Sequence, residues 1–216
     1  MPHGGHHRRG LIVTDVIAAA SSLASGVGRV TGVLAWYLAG ASLVWGVVLS
    51  TKLVRRTNLP GWLLGLHRSL SIGATALTLV HVVAALGHHR AALSVVDLVV
   101  PGHSHWRTGA ITWGVVALYL AIALTITSIA INRMPRTWWH LSHLLAYPMF
   151  VASAVHAYGA GTDSQRRFFL WTGLAVFEAA LGLGLFRAWA HLATRRQRRA
   201  ARAANARQAG LTTSAQ

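Results

Sequence analysis

The sequence of 216 residues contains no cysteine. This absence excludes disulfide bridges, cysteine-bound zinc, iron–sulfur clusters and haem attached covalently through a C-x-x-C-H motif. Any metal or cofactor must therefore be held by other side chains. Histidine is abundant, since the chain has 13 of them.

Charged residues, and acidic ones above all, are also scarce. They make up 11% of the chain, whereas hydrophobic residues make up 54%; an ordinary soluble domain has roughly 25% charged residues. Too little polar side chain is present to cover a water-soluble globule, which argues against a soluble enzyme. The 20 lysines and arginines outnumber the 4 acidic residues, but they lie between long uncharged runs and not on one nucleic-acid-binding face. This pattern is typical of the loops of a membrane protein.

Five stretches with little or no charge are long enough to cross a bilayer as helices. They are residues 30–51, 69–89, 108–132, 137–162 and 168–186. Residues 11–27 carry Asp15 and three serines, which predicts a helix at the membrane surface. The sequence therefore predicts an all-α integral membrane bundle of five transmembrane helices and an interfacial N-terminal helix. Its expected divisions are residues 1–28, a transmembrane domain at 29–190 and a basic tail at 191–216.

Lysine and arginine are concentrated on one side of this predicted bundle. That side receives residues 52–56, residues 133–136 and the arginine cluster at 195–207. Cytoplasmic loops are enriched in these residues, so this side should be cytoplasmic. Five crossings then place the N-terminus outside and the C-terminus in the cytoplasm.

Five histidines lie inside the second and fourth predicted spans or, for His67, two residues before one, where an ionisable side chain is costly and usually marks a pathway or a cofactor. They are His67, His81, His140, His143 and His156. A single histidine in a membrane span is as often a packing residue between helices as a cofactor ligand. Five on only two helices favour a shared function.

The spacing places these histidines at two depths. His67 and His81 are fourteen residues apart, about 21 Å along a helix and nearly on one face. His143 and His156 are thirteen apart, about 19.5 Å, so the depths of the two pairs match. An ideal helix would turn the rings of this second pair about 140° apart, and His140 fits no better.

Pro148 lies between His143 and His156 and can kink their helix. Paired by depth, His67 with His143 toward the cytoplasm and His81 with His156 toward the outside predict two b-type haems, each with two imidazole ligands. Two such haems transfer electrons across a bilayer.

Short motifs around these histidines resemble those of a known family. They are L-H-R-S-L-S-I at 66–72 followed by H-V-V at 81–83, D-L-V-V-P at 97–101, W-x-x-L-S-H-L-L-A-Y-P from residue 138, and H-A-Y-G-A-G-T-D from residue 156. About residues 29–190 resemble the ferric-reductase-like transmembrane domain. This family includes the membrane cores of ferric reductases and NADPH oxidases, and the haem-binding subunit of the periplasmic methionine sulfoxide reductase system. The resemblance maps the axial haem ligands onto His67, His81, His143 and His156, which favours His143 over His140.

The resemblance also implies redox partners. Ferric reductases and NADPH oxidases carry a cytosolic flavin and nicotinamide domain after the last span. Only about 26 residues follow position 190 here, without a glycine-rich nucleotide fingerprint, so no flavin site is recognised. We expect a stand-alone haem-binding subunit of an oxidoreductase. Its donor would be a separate flavin reductase or membrane quinol, and its extracytoplasmic acceptor a reductase, a flavoprotein or ferric iron.

Other polar residues have less specific assignments. Arg68, Arg107, Arg133 and Arg136 lie near the predicted haem depths and are candidates for pairing with propionates, although loop charge is the commoner explanation. Glu178, inside the fifth span, fits a proton relay, a quinone contact or a hydrogen bond between helices. The external histidines at positions 88, 89, 103 and 105 offer a site for capturing a metal ion.

A transporter or metal-handling membrane protein is the alternative function. Its histidines would bind cations or protons directly. A metal site requires three or four ligands within about 2 Å of one ion, whereas the histidines in the spans lie at two depths about 20 Å apart. The spacing therefore favours haem.

Overall fold

The computed structural model describes residues 5–50, 61–87, 92–161 and 163–213. Within these ranges the chain is helical and has no strand, which confirms the all-α prediction. The α-helices, in chain order, are α1 Gly5–Ser50, α2 Gly61–Leu86, α3 Val95–Val99, α4 Thr108–Ile129, α5 Arg136–His143, α6 Ala146–Ala160 and α7 Asp163–Thr213. A 3₁₀ turn, Ala130–Arg133, extends α4.

Four helices are long and apolar enough to cross a membrane. Their spanning ranges are Asp15–Ser50 in α1, Gly61–Leu86 in α2, Thr108–Arg133 in α4 and its extension, and Leu170–Arg202 in α7. Large apolar side chains on these helices, such as Ile72, Val83 and Ile129, point outward and are exposed. Outward apolar side chains at this density require lipid around them. The chain is therefore a multi-pass membrane protein.

The N-terminal helix differs from the prediction. Residues 15–27 continue into the first span, so that α1 is one helix of 46 residues, about 69 Å long against a bilayer core of about 30 Å. Ser21, Ser22 and Ser25 do not interrupt it, because each hydroxyl donates to a carbonyl three residues earlier in the same helix. A position of this segment at the membrane surface stays a prediction.

The predicted fourth span is divided into two helices. α5 ends at His143 and α6 begins at Ala146. Pro148, in the first turn of α6, has no N–H to donate to the carbonyl of Leu144, and its ring would collide with that carbonyl in a continuous helix. The break therefore comes directly before the proline. It releases His143 and His156 from the relative orientation of an ideal helix.

The bundle consists of two antiparallel helix pairs joined by a shared core. α1 packs along α2, and α4 packs along α6. The core lies where α1, α6 and α7 meet: the ring of Phe150 is 1% exposed and stacks on Trp36 with ring centroids 5.2 Å apart. Gly40 and Gly173 allow this close approach, since a Cβ on either would lie 3.1–3.2 Å from one of these rings.

α2 and α6, by contrast, have few residues in contact within the described ranges. The two helix pairs therefore leave a space between these two helices.

Candidate functional site

His81 on α2 and His156 on α6 face each other across this space. Their ring centroids are 6.0 Å apart and the ring planes are inclined by 78°. Two imidazoles on opposite sides of one metal ion, each about 2 Å from it, have their ring centres about 6 Å apart. The observed separation is of this size.

A largely apolar cavity of about 240 Å³ surrounds this pair. Helices α1, α2, α4 and α6 all line it, and both histidines are on its wall. An apolar cavity with two convergent nitrogen ligands is suited to a flat hydrophobic macrocycle.

The ring of His81 lies in a cleft of α1 that glycine creates. Its Nδ1 donates to the carbonyl of Gly28 at 2.7 Å. A Cβ on Gly32, one turn later, would lie only 2.7 Å from that same Nδ1. Because a carbonyl only accepts, Nδ1 carries the proton and Nε2 keeps the lone pair that binds metal.

The other helix pair repeats this arrangement. The Nδ1 of His156 donates to the carbonyl of Ala110, on α4, at 2.7 Å. A Cβ on Gly114 of α4 would lie 2.6 Å from that Nδ1. His81 and His156 are thus the same tautomer. Each is held by a backbone carbonyl and by a glycine one turn later on the neighbouring helix. In both, Nε2 is the nitrogen without the proton.

His67, near the start of α2, and His143, the last residue of α5, form a second pair. The two side chains are close enough to interact electrostatically. The Nδ1 of His67 lies 3.2 Å from the hydroxyl of Ser42, and a Cβ on Gly46 would be 3.1 Å from the His67 ring. The ring of His143 packs on Trp139 with centroids 4.3 Å apart, and its buried Nδ1 has no hydrogen-bond partner among the described residues.

The remaining predicted site residues are more exposed than these pairs or have other contacts. His140, Arg68, Arg133, Arg136 and Glu178 are all exposed. Exposure distinguishes His140 from His143, which is partly buried beside His67.

Arg107 has a structural contact that the sequence did not suggest. Its guanidinium donates to the carbonyls of Gly159 and Gly161 at 2.9 and 3.1 Å. These carbonyls are at the C-terminal end of α6, so Arg107 satisfies the end of the helix that carries His156.

The segment between α2 and α4 contains a buried carboxylate whose contacts the sequence did not predict. Asp97 is 7% exposed and accepts hydrogen bonds from His103 Nδ1 at 2.8 Å and from the backbone and hydroxyl of Ser94 at 2.8 and 2.7 Å. These bonds, that of His103 above all, lower the pKa of Asp97 from 3.8 to about 2. The ring of His105 is 6.2 Å from that of His103. The described residues contain no group of three or more metal-ligating side chains, and His88 and His89 lie outside them.

The residues of α1 that contact His67 and His81 could have been predicted from a repeated spacing in the sequence. Gly28 and Gly32 are each followed fourteen residues later, by Ser42 and Gly46. The same interval separates the two histidines of α2. Two helices that pack side by side with equal intervals bring corresponding positions into contact at two depths.

Comparison with known proteins identifies a family. The family model for the ferric reductase like transmembrane component matches residues 31–154, which is more than half of the chain. No curated protein and no solved structure matches the sequence.

The Asp97 contacts predict how the loop responds to pH. Because the pKa of Asp97 is lowered on folding, its stabilisation is present above pH 3.8 and is lost as the pH falls from 3.8 to about 2. Protection of residues 94–107 against hydrogen exchange in detergent, taken relative to the intrinsic exchange rate at each pH, should fall over this range in the wild-type protein. In Asp97→Asn this protection should be low already at pH 5 and change little below. His105→Ala, the control, should behave as wild type; equal protection of Asp97→Asn and wild type at pH 5 would contradict the assignment.

Proposed function

Since the chain belongs to the ferric-reductase-like transmembrane family, we propose that it carries electrons across the membrane with two b-type haems. One haem would be ligated by His81 and His156, and the other by His67 and His143. Bound haem supplies a one-electron redox centre whose potential depends on its ligands and their surroundings. The protein supplies the positions of the two sites and the low-dielectric space around them.

The observation that carries this proposal is the pairing of four histidines at two depths, with the proton of three of them already committed. His81, His156 and His67 each have Nδ1 within hydrogen-bond distance of an acceptor on a neighbouring helix or side chain. Their Nε2 atoms are left for iron. A set of histidines that only stabilised the bundle would have no need to leave one nitrogen of each ring uncommitted.

The residues of this chain perform three tasks in the proposed transfer. The glycine clefts and hydrogen bonds fix the ring orientations, which limits the reorganisation that accompanies each electron transfer. The apolar walls exclude water from the site. The interval between His67 and His81 sets the vertical separation of the two centres at about 21 Å between their ligands, so that two shorter transfers replace one across the whole membrane.

We further propose that α5 and α6 together form a fifth crossing. Each alone is shorter than a bilayer, but only two residues separate them, and His156 of α6 lies beside His81 of α2, which supports a combined crossing alongside α2. With five crossings, the N-terminus lies outside and the C-terminus lies in the cytoplasm. The exposed arginines of α7, Arg195, Arg196, Arg199 and Arg202, support a cytoplasmic end.

Electrons would enter from a cytoplasmic flavin reductase or from membrane quinol and leave to an acceptor outside, whether a reductase, a flavoprotein or ferric iron. Arg68, Arg133 and Arg136 are exposed at the end of the bundle near His67 and remain candidates for haem propionates. The guanidinium of Arg107 has further donors beyond those used on α6, so it remains one as well. Glu178, exposed on α7, remains the candidate for a proton or quinone contact.

Substitution of each histidine tests the proposed ligand pairs. His67→Ala or His143→Ala should remove one haem per chain, and His81→Ala or His156→Ala the other, because each haem loses an axial ligand. His140→Ala is the matched control and should keep both. The haem-to-protein ratio of purified protein measures this. Equal losses in His140→Ala and His143→Ala would show that His143 is not the ligand.

The glycine clefts give a second test that leaves all histidines in place. In Gly114→Ala the new Cβ would lie 2.6 Å from His156 Nδ1, so the ring must move and the His81 and His156 haem should be lost while the other is kept. Gly109→Ala lies on the same helix with nothing within 4 Å of its Cβ and should keep both haems. Reduced-minus-oxidised difference spectra measure this. Full haem content in Gly114→Ala would contradict the role of the cleft.

Reporter fusions test the proposed orientation. Green fluorescent protein fused after Gln216 should fluoresce, and alkaline phosphatase fused there should be inactive, because the arginines of α7 resist translocation. The same reporters fused before Met1 should give the opposite pattern. An active phosphatase at the C-terminus would reverse the proposed direction of electron flow.

A further inference from the structure

We infer that Ser42 and Ser71 are positioning residues that tune the haem ligated by His67, through a closed circuit of hydrogen bonds. The inference rests on the proposed function, since it concerns the same histidine. It adds a residue-level control of the reduction potential of one haem that the other haem lacks.

The circuit follows from the donors and acceptors. The hydroxyl of Ser71 donates to the carbonyl of His67 at 2.9 Å. The hydroxyls of Ser42 and Ser71 are 2.8 Å apart, so the hydrogen between them comes from Ser42. The Ser42 oxygen then accepts from His67 Nδ1 at 3.2 Å. His67 thus donates through its ring and accepts through its backbone in one circuit.

Ser42 differs from most serine and threonine side chains of the described spanning helices. Residues such as Ser50, Thr78 and Thr125 donate to a carbonyl of their own helix three or four residues earlier, which is the ordinary arrangement for a hydroxyl in a helix. The two hydrogen bonds described for Ser42 both leave α1 and reach α2. Its side chain is buried, with 7% of the residue exposed. A buried hydroxyl committed to a histidine on another helix has more than a local role.

The other three histidines lack a side-chain partner of this kind. His81 and His156 donate to backbone carbonyls, which no substitution of a side chain removes, and His143 has no Nδ1 partner among the described residues. An acceptor at Nδ1 makes an imidazole a stronger electron donor to its metal and so stabilises the ferric state. Donation of the Ser42 hydroxyl to Ser71 strengthens Ser42 as an acceptor, because hydrogen bonds in series polarise one another.

The test is a redox titration in His81→Ala, which should retain only the His67 and His143 haem. Adding Ser42→Ala removes the Nδ1 acceptor and should raise the potential. The ratio of reduced to oxidised haem at a fixed applied potential should rise by up to about tenfold, or about 59 mV for one electron. Ser71→Ala should give a smaller rise. Ser42→Thr, which restores a hydroxyl, should return the potential to that of the parent.

Ser50→Ala is the matched control, because its hydroxyl is on the same helix but bonds to Val47; it should leave the potential unchanged. In His67→Ala, which should retain only the other haem, Ser42→Ala should also have no effect. Equal potentials in Ser42→Ala and Ser50→Ala, or a shift of the other haem of the same size, would overturn the inference. If Ser42→Ala loses its haem, an unchanged potential in Ser71→Ala would overturn it instead. Wild-type protein that binds no haem would refute the proposed function itself.

Discussion

The placement of the Nδ1 proton is the constraint on which this site depends. In hydrocarbon an unbonded imidazole N–H is costly, and a ring that turns freely could present either nitrogen to a metal. For His81 and His156 the helix backbone solves both problems, since Gly28 and Ala110 supply the acceptor carbonyls. The Cβ of the residue one turn later would normally block access of a histidine ring to such a carbonyl. Glycine at that position has no Cβ, so these sites depend on the glycines as much as on the histidines.

The architecture of the bundle follows from these contacts. Each histidine of the His81 and His156 pair is hydrogen-bonded to the helix that its own helix packs against. His81 is therefore fixed within the α1–α2 pair and His156 within the α4–α6 pair. The two helix pairs can then stand apart while the Nδ1 atoms of His81 and His156 keep their hydrogen bonds. The aromatic core of Trp36 and Phe150, between the two depths, holds them at that distance. Proline supplies the last adjustment, because the break before Pro148 allows His143 and His156 to be positioned separately.

The sequence alone was sufficient for the helical class, the membrane location and the family, because long uncharged runs and paired histidine intervals are local patterns. It also showed that an ideal helix would turn the rings of His143 and His156 apart, and that Pro148 could change their relative orientation. It could not show that α1 runs unbroken through residues 15–27, since the serines there satisfy themselves within the helix. Contacts between distant helices were also beyond it. The bond between Ser42 and His67 requires knowing which helix faces meet. The burial of Asp97 beside His103 depends on the path of the connecting segment.

The central claim is that the chain holds two irons, each between two imidazoles. Low-temperature electron paramagnetic resonance of the purified, air-oxidised protein tests it most directly, because two strong-field axial ligands make ferric haem low-spin. We expect two distinct low-spin ferric signals that together account for two haems per chain, with no high-spin component. A dominant high-spin signal would mean an open coordination position, and a protein that contains a divalent metal and no haem would contradict the account.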